Sequence, residues 1–443
     1  MSIPQVIDGV TELDSELFNP IINRVNGLQT GETPIPLAGI EGALGEYEPL
    51  QNMRAGGLNA WDFIGVDPTG VLSSSTGLTD FFNACSQQRV PGTIPPGTYL
   101  INPYIQAPSY LTIYAYGAMF VTAHESDLFS CIEFRNRQWV NIYGLSVNGN
   151  RAAWPGSTAQ YKHAIAFLGS RHIRLYDITL MDNVTDGLFF GLASSGGCAD
   201  VVASGVVSTG NGRLGLAITA LDGGTFRSCT FSFSNGVNPE SGVDIEPGNA
   251  TNIVRNIVFE SPVITGNTGH GFVVHTDQNA AVPQHGIQIN GGSIRDNAKA
   301  GVLFYSARGV TLRDVSITDN GWAGLEASGQ FGDVTDLLVD GGEIRDNGTY
   351  GVVGMSNATH AFRRPRFRDV RISGPNTQTG IDLRNTVDAP ALLNVPIDGF
   401  ATGLVTGSGV TNLLLDRIDP SGCATPLTLG DDAGSRVERD TIT

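Results

Sequence analysis

Lysine is nearly missing from this chain: Lys162 and Lys299 are the only two among 443 residues. The 43 acidic side chains outnumber 26 basic ones, which leaves a net charge of −17. Polyphosphate binding by counterion release needs basic stripes, so nucleic acid is disfavoured as the main ligand. No run of about 18 apolar residues is present, so no membrane-spanning helix and no membrane insertion are expected. The opening MSIPQVIDGVTELDSEL lacks the basic segment and apolar run of a secretory signal. The five cysteines (Cys85, Cys131, Cys198, Cys229, Cys423) are odd in number and far apart. That argues against a disulfide framework and against a CxxC metal site, and leaves buried thiols. No metal and no other cofactor is expected. Glycine, by contrast, is plentiful at 57 residues, and 41% of the chain is hydrophobic, enough for a large core.

A short frame recurs from residue 181 onward. It consists of an apolar segment, Asn or Asp-Asn, a few polar residues, then Gly followed by alternating apolar residues. Examples are MDNVTDGLFF (181–190), TGNTGHGFVVH (265–275), RDNAKAGVLFY (295–305) and TDNGWAGLEAS (318–328). The opening glycines fall at 187, 215, 242, 271, 301, 324, 351 and 380, spaced 23 to 30 residues apart. One such unit cannot bury its apolar face alone, whereas stacked units can. The fold class expected is therefore all-β, a right-handed parallel β-helix. The Asn at each turn (Asn183, Asn211, Asn235, Asn267, Asn297, Asn320, Asn347) is expected to form a ladder that bonds turn backbone and tolerates a left-handed conformation.

Three regions are expected. Residues 1–57 would form an N-terminal attachment segment and linker, with one short helix opened by Asn19 and Pro20. The β-helix would occupy 58–415, with a helix at 77–88 closing its open end, where an uncapped coil would expose core and strand edge. Residues 416–443 would form a C-terminal tail or cap.

The stretch GVDPTGVLSSSTGLTDFFNACSQQRVPGTIPPGTYLI (65–101) resembles the opening of pectate-lyase-superfamily β-helices, with PPGTYLI (95–101) the specific part. The N-terminal TELDSELFNPIINRVNGL is similar to the particle-attachment segment of bacteriophage tailspikes and tail fibres. The resemblance implies a homotrimeric phage tailspike carried on the virion tail. It also implies attachment to tail or adaptor proteins through the N-terminal segment, and binding, often cleavage, of polysaccharide at the host cell surface.

With repeats aligned on the opening Gly, residues one and three positions later point inward and residues two and four positions later point outward. The outward column then holds Glu246, His275 and Tyr305, with Asp244 beside Glu246 and Asp277 beyond His275. These residue types are those of acid/base catalysis. Asp244 and Glu246, estimated at ~7 Å apart, match the separation that leaves room for a water between carboxyls, as in inverting glycosidases. Like charges that close would also push one carboxyl upward, as a general acid requires. Catalytic candidates are Asp244, Glu246, His275 and Asp277; substrate-binding candidates are Tyr305, Glu326, Trp322 and Trp154. The same residues can be read blandly, as a solvated acidic pair on an exposed strand and an aromatic stack.

The function expected is a tailspike that binds and hydrolyses bacterial surface polysaccharide, lipopolysaccharide O-antigen or capsule, as an endo-acting glycoside hydrolase. The alternatives are a non-catalytic receptor-binding spike and a polysaccharide lyase using His275 and Tyr305. A lyase must also neutralise a uronate carboxylate, and no Arg or Lys falls in the outward column, which favours hydrolysis.

Overall fold

The computed structural model describes residues 57–123, 130–154, 162–248, 252–275, 285–354, 360–376, 378–430 and 436–437. The helix expected near residues 19–28 and the candidate Asp277 lie outside them. From Leu58 onward the chain winds into a right-handed parallel β-helix. Among the described residues a 13-stranded sheet runs from Ile105–Gln106 to Thr425–Thr428, and 31 strands form the remaining faces. Every inter-coil ladder is parallel; an isolated antiparallel bridge joins Ala193 and Gly196.

The register follows the opening glycines without a slip. Leu216 faces Val243, Val243 faces Phe272, Phe272 faces Val302 and Val302 faces Leu325. Glycine is required there because a Cβ has no room. At Gly271 it would lie 2.5 Å from Gly301 O and 2.6 Å from Ile294 Cγ2. Behind these glycines the inward residues fill the coil with aromatics stacked from turn to turn. Phe134 and Phe167 lie 4.7 Å apart, Phe226 and Phe259 4.9 Å apart. The five cysteines are buried free thiols. Burial pushes those of Cys85 and Cys131 up to about 12.

The ladder of amides is present, with two differences from expectation. Asn267 donates from Nδ2 to Asn297 Oδ1 at 2.8 Å; Asn297 donates to Asn320, and Asn320 to Asn347, each at 2.9 Å. The left-handed conformation belongs to the residue before the amide: Asp296, Asp319 and Asp346 have φ of 56°, 58° and 54°. A short polar residue tolerates that region while the amide turns inward. Asn235 is not a rung. Fully buried Ser234 takes its place and donates its N–H to Asn267 Oδ1.

The capping helix spans Ser75–Gln88, two residues longer at its start than the sequence indicated. Its buried stripe of Leu78, Phe81, Phe82 and Cys85 covers the first coil. Tyr99 of the PPGTYLI strand is fully buried and donates its hydroxyl to Pro95 O at 2.7 Å. At the far end, strands Leu414–Gly422 and Thr425–Thr428 pair with the preceding coil, so coiling extends past residue 415, the end expected for the β-helix, as far as Thr428. The basic cluster FRRPRFRD is matched by acids one coil earlier: Arg363 with Asp333, Arg364 with Asp336 and Arg368 with Asp340, at 2.6 to 2.8 Å. Exposed pairs of this kind contribute on the order of 0–1 kcal/mol each.

Candidate active site

Asp244 sits on strand Ser241–Ile245, between Ala217 of the preceding coil and Val273 of the next. Its side chain points away from the core, as the period-two pattern requires. It is nevertheless only 1% exposed. The rest of its column on the outer face (Ala217, Val273, Leu303, Glu326, Val353, Asp382) is buried too. A solvated pair on an exposed strand is therefore excluded for Asp244.

One step further along each coil the ladder continues past the strand ends. Glu246 N donates to Ile218 O, His275 N to Ile245 O and Tyr305 N to Val274 O, at 2.9 to 3.0 Å. This stacks Glu246, His275 and Tyr305 as the sequence alignment placed them. The imidazole Nε2 of His275 lies 3.3 Å from Asp244 Oδ1 and 3.4 Å from Glu246 Oε2. Tyr305 meets His275 edge-on, with ring centroids 5.7 Å apart, and Phe331 packs against both rings. The expected gap of ~7 Å between carboxyls is not what forms. Asp244, Glu246 and His275 each offer an atom within 4.8 Å of the other two, because both carboxyls turn toward one imidazole. That is short of the spacing of an inverting pair, about 6.5–9.5 Å.

The surroundings of the two acids drive them apart. Burial, then the charge of Glu246, raises the Asp244 carboxyl to about 6. Burial also acts on Glu246, but hydrogen bonding to His275 and the Arg213 guanidinium outweigh it and hold this carboxyl below its ordinary value. Burial alone would lower His275; its two carboxyl partners override that and lift it to about 10. Asp244 is thus the proton-rich acid and Glu246 the ionised one. The same three side chains could ligate a cation. The imidazolium already provides the positive charge between the carboxyls, so a metal bound there would have to displace its proton.

Three contributors escaped the sequence alignment. Arg213 donates to Glu246 Oε1 and, at 3.3 Å, to Asp186 Oδ2. Asp186 is fully buried, and His163 Nδ1 approaches the same oxygen at 3.0 Å. The result is one charge chain, His163–Asp186–Arg213–Glu246–His275–Asp244. Asp186 and Arg213 stand just before the opening glycines, positions read as turn. Followed one pair further back, the outward period reaches Arg213, two residues before Gly215; Asp186, one residue before Gly187, falls on the other parity and is not reached. Arg213 also corrects the statement that no basic residue reaches this column: it arrives from the turn of the preceding coil.

The remaining candidates divide. Glu326 is nearly buried, and burial raises its carboxyl despite a hydrogen bond with Trp322. Burial, with the charges of Glu326 and Asp244, raises the Tyr305 phenol. Trp322 is 38% exposed and packs edge-on against Tyr350 at 5.3 Å. Trp154 is not brought to the acid pair; it lies about three coils away, on the order of 14 Å along the axis. His270, lowered to about 4 by burial and by Lys299, accepts the Ala300 N–H and is part of the turn.

Fold and site together define a parallel β-solenoid carrying a buried acid/base cluster on one outer face. The family model described as "Right handed beta helix region" matches residues 163–329 and 238–395, more than half of the chain, and the chain belongs to that family. No curated protein matches it in sequence. Three solved structures are similar in fold. The A-module of a mannuronan C-5 epimerase from Azotobacter vinelandii is 16% identical, with a TM-score of 0.60 over 86% of this chain and 100% of its own. The pre-mature gene product 12 of bacteriophage phi29 is 14% identical, with a TM-score of 0.65 over 89% of this chain and 57% of its own. A double mutant of the tailspike of E. coli bacteriophage HK620, in complex with a pentasaccharide, is 12% identical, with a TM-score of 0.58 over 88% and 81%. At these identities the likeness establishes the parallel β-helical fold and nothing finer.

Proposed function

We propose that this chain is a phage tailspike that binds bacterial surface polysaccharide along the outer face of its 13-stranded sheet and hydrolyses it there. The observation that carries the reading is the opposite displacement of two carboxyls around one imidazole, Asp244 upward and Glu246 downward. The fold likeness to a tailspike solved with a pentasaccharide and to a mannuronan epimerase is consistent with a glycan ligand. Homotrimerisation, attachment to tail proteins through residues 1–57 and a place on the virion belong to the same proposal.

The roles follow from exposure. Glu246 and His275 each keep 21% of their side-chain surface, whereas Asp244 keeps 1%. Glu246 is the catalytic carboxylate that activates water or attacks the sugar, and the His275 imidazolium supplies the proton to the leaving oxygen. Asp244 works from beneath as a positioning residue that sets the charge His275 faces. Lyase chemistry is the second reading, favoured by Arg213 and Tyr305. The two terminal nitrogens of Arg213 are already engaged by Asp186 and Glu246, whose charges offset its own, which leaves it poorly placed to neutralise a uronate, so hydrolysis is preferred. The test is digestion of capsule and O-antigen preparations followed by size analysis. Shortened chains support the proposal; bound but intact chains would leave a receptor-binding spike.

A pH dependence follows. Above about 6 Asp244 ionises, and His275 then faces two full negative charges and holds its proton more tightly. Activity is expected to fall as pH rises through that value, and Asp244→Asn to remove this limb. A profile unchanged by Asp244→Asn would remove Asp244 from the scheme. Stability moves the same way. Asp244 and His275 both bind protons more tightly in the folded state. Their contributions are complete below the unfolded values and are lost as pH rises, through about 6 for Asp244 and toward about 10 for His275.

A further inference from the structure

Coil after coil, the chain rounds one corner through a left-handed residue at a place the strand pairing skips. From Asp200 onward that place holds Asp200, Gly223, Asn256, Gly286 and Gly309, residues that take a positive φ readily. The coils before it hold Tyr110, Trp139 and His172 there, with φ of 58°, 61° and 58°. Bulky side chains rarely take this conformation, so their presence in successive coils needs a reason. Stacking supplies part of it. His172 lies parallel to one face of Trp139, ring centroids 4.0 Å apart, and the Arg89 guanidinium covers the Tyr110 ring at 3.4 Å. Trp139 is nevertheless 50% exposed. Among the described residues no other ring contacts it and nothing accepts its indole N–H.

The charge around this indole is opposite to that of the chain, which is net −17. Elsewhere on the described surface, arginines are mainly paired with acids across coils. Here Arg171, next to His172 and in register with Gln138, is exposed and has no acid partner among the described residues. The Arg137 guanidinium donates Nε–H to Ala107 O at 2.9 Å and likewise lacks an acid there. Asp200, the carboxylate of this column, is already taken up by His172 at 2.6 Å and Arg174 at 2.9 Å. Gln138 and the Tyr110 hydroxyl, joined at 2.7 Å, add neutral polar groups. An open indole with an unpaired guanidinium one coil on suits a pyranose that carries a carboxylate. The ring lies against the indole and the carboxylate meets the fork of Arg171. The excess of positive charge disfavours a purely apolar partner.

We infer that this corner is a second glycan site, which holds an acidic sugar of a polysaccharide without cutting it. It belongs to the 31-stranded group and not to the sheet that carries Asp244. A long polysaccharide held at both places would bind more tightly than at either alone. The inference rests on the proposed glycan ligand and not on hydrolysis.

The test compares two tetrasaccharides of one linkage, a tetramer of β-1,4-linked D-glucuronate and cellotetraose. Each is titrated into the full-length protein and followed by calorimetry and tryptophan fluorescence. The glucuronate tetramer is expected to bind, to perturb tryptophan emission and to weaken as salt rises, with cellotetraose at least tenfold weaker. Trp139→Ala and Arg171→Glu are each expected to cost tenfold or more in affinity, and Arg171→Lys to keep part of it. Arg308→Glu makes the same charge change about five coils away, on the order of 24 Å, and is expected to cost less than twofold. Arg171 is exposed and makes no ion pair, so its variant stays informative even where Trp139→Ala fails to fold. Equal affinity for the two tetramers, unchanged affinity in Arg171→Glu, or an equal loss in Arg308→Glu would overturn the inference. So would a change of oligomeric mass in either corner variant at unchanged sugar affinity, which would make the corner a contact between copies. Tetramer binding without cleavage of any polysaccharide would sink only the hydrolytic reading. Cleavage by a protein indifferent to the tetramer would sink only this one.

Discussion

Glu246→Gln is expected to reduce polysaccharide cleavage by about a thousandfold, the middle of the range for removing a positioned acid or base. Glycan binding should stay within a fewfold of the unaltered protein. The amide keeps the shape of the carboxyl and can still accept a hydrogen bond from Arg213, but it cannot take a proton or attack a sugar carbon. His275→Gln should be nearly as severe, because it removes the proton donor and leaves Asp244 and Glu246 facing each other without the imidazolium between them. Steady-state rates of reducing-end release, with binding measured separately, would check both. If Glu246→Gln cuts at the normal rate, the charge chain from His163 to Asp244 is structural reinforcement and the chemistry lies elsewhere.

Asn297→Ala is expected to cost about 4 kcal/mol of stability, the sum of two or three buried hydrogen-bonding groups left unsatisfied at roughly 1–3 kcal/mol each. Asn297 donates to Asn320 Oδ1 and Ile264 O, and it accepts from both the backbone N–H and the Nδ2 of Asn267. Its loss interrupts the ladder in mid-molecule, where each rung completes the next. Arg368→Ala removes an exposed ion pair of similar length and should cost no more than about 1 kcal/mol. Urea unfolding of the two variants beside the unaltered protein measures the contrast. Equal, small losses would mean that the amide column is filler rather than a structural seam.

The coil register was legible because it is written twice, once in the apolar period and once in the glycines. Gly271 marks a place where a Cβ has no room, so the glycines locate the stacking to the residue. That was enough to bring Glu246, His275 and Tyr305 together from positions about thirty residues apart. Burial of the outer face was not legible. A period-two pattern says which way Asp244 points but not what covers it, and covering sets its acidity. Nor was the convergence of two carboxyls on one imidazole, since a strand estimate fixes backbone spacing and leaves side-chain torsions open. Asp186, Arg213 and His163 were hidden for a different reason. Asp186 and Arg213 sit in the turn before the opening glycine, where Asp and Asn are so common as turn formers that a residue with another task does not stand out; His163 precedes Ala164, in a coil with no opening glycine to mark it. The misplaced rung at Asn235 has the same origin, since Ser234 fills the buried position one residue earlier.

Product analysis bears most directly on the central claim that this outer face breaks glycosidic bonds by acid/base hydrolysis. Polysaccharide from candidate hosts would be incubated with the protein, and the products measured for size, for new reducing ends and for the ultraviolet absorbance of unsaturated uronates. Shorter chains, one new reducing end per cut and no gain in absorbance are expected, with cleavage about a thousandfold slower for Glu246→Gln. Chains that stay full length, or fragments that absorb as unsaturated sugars, would contradict the hydrolytic claim.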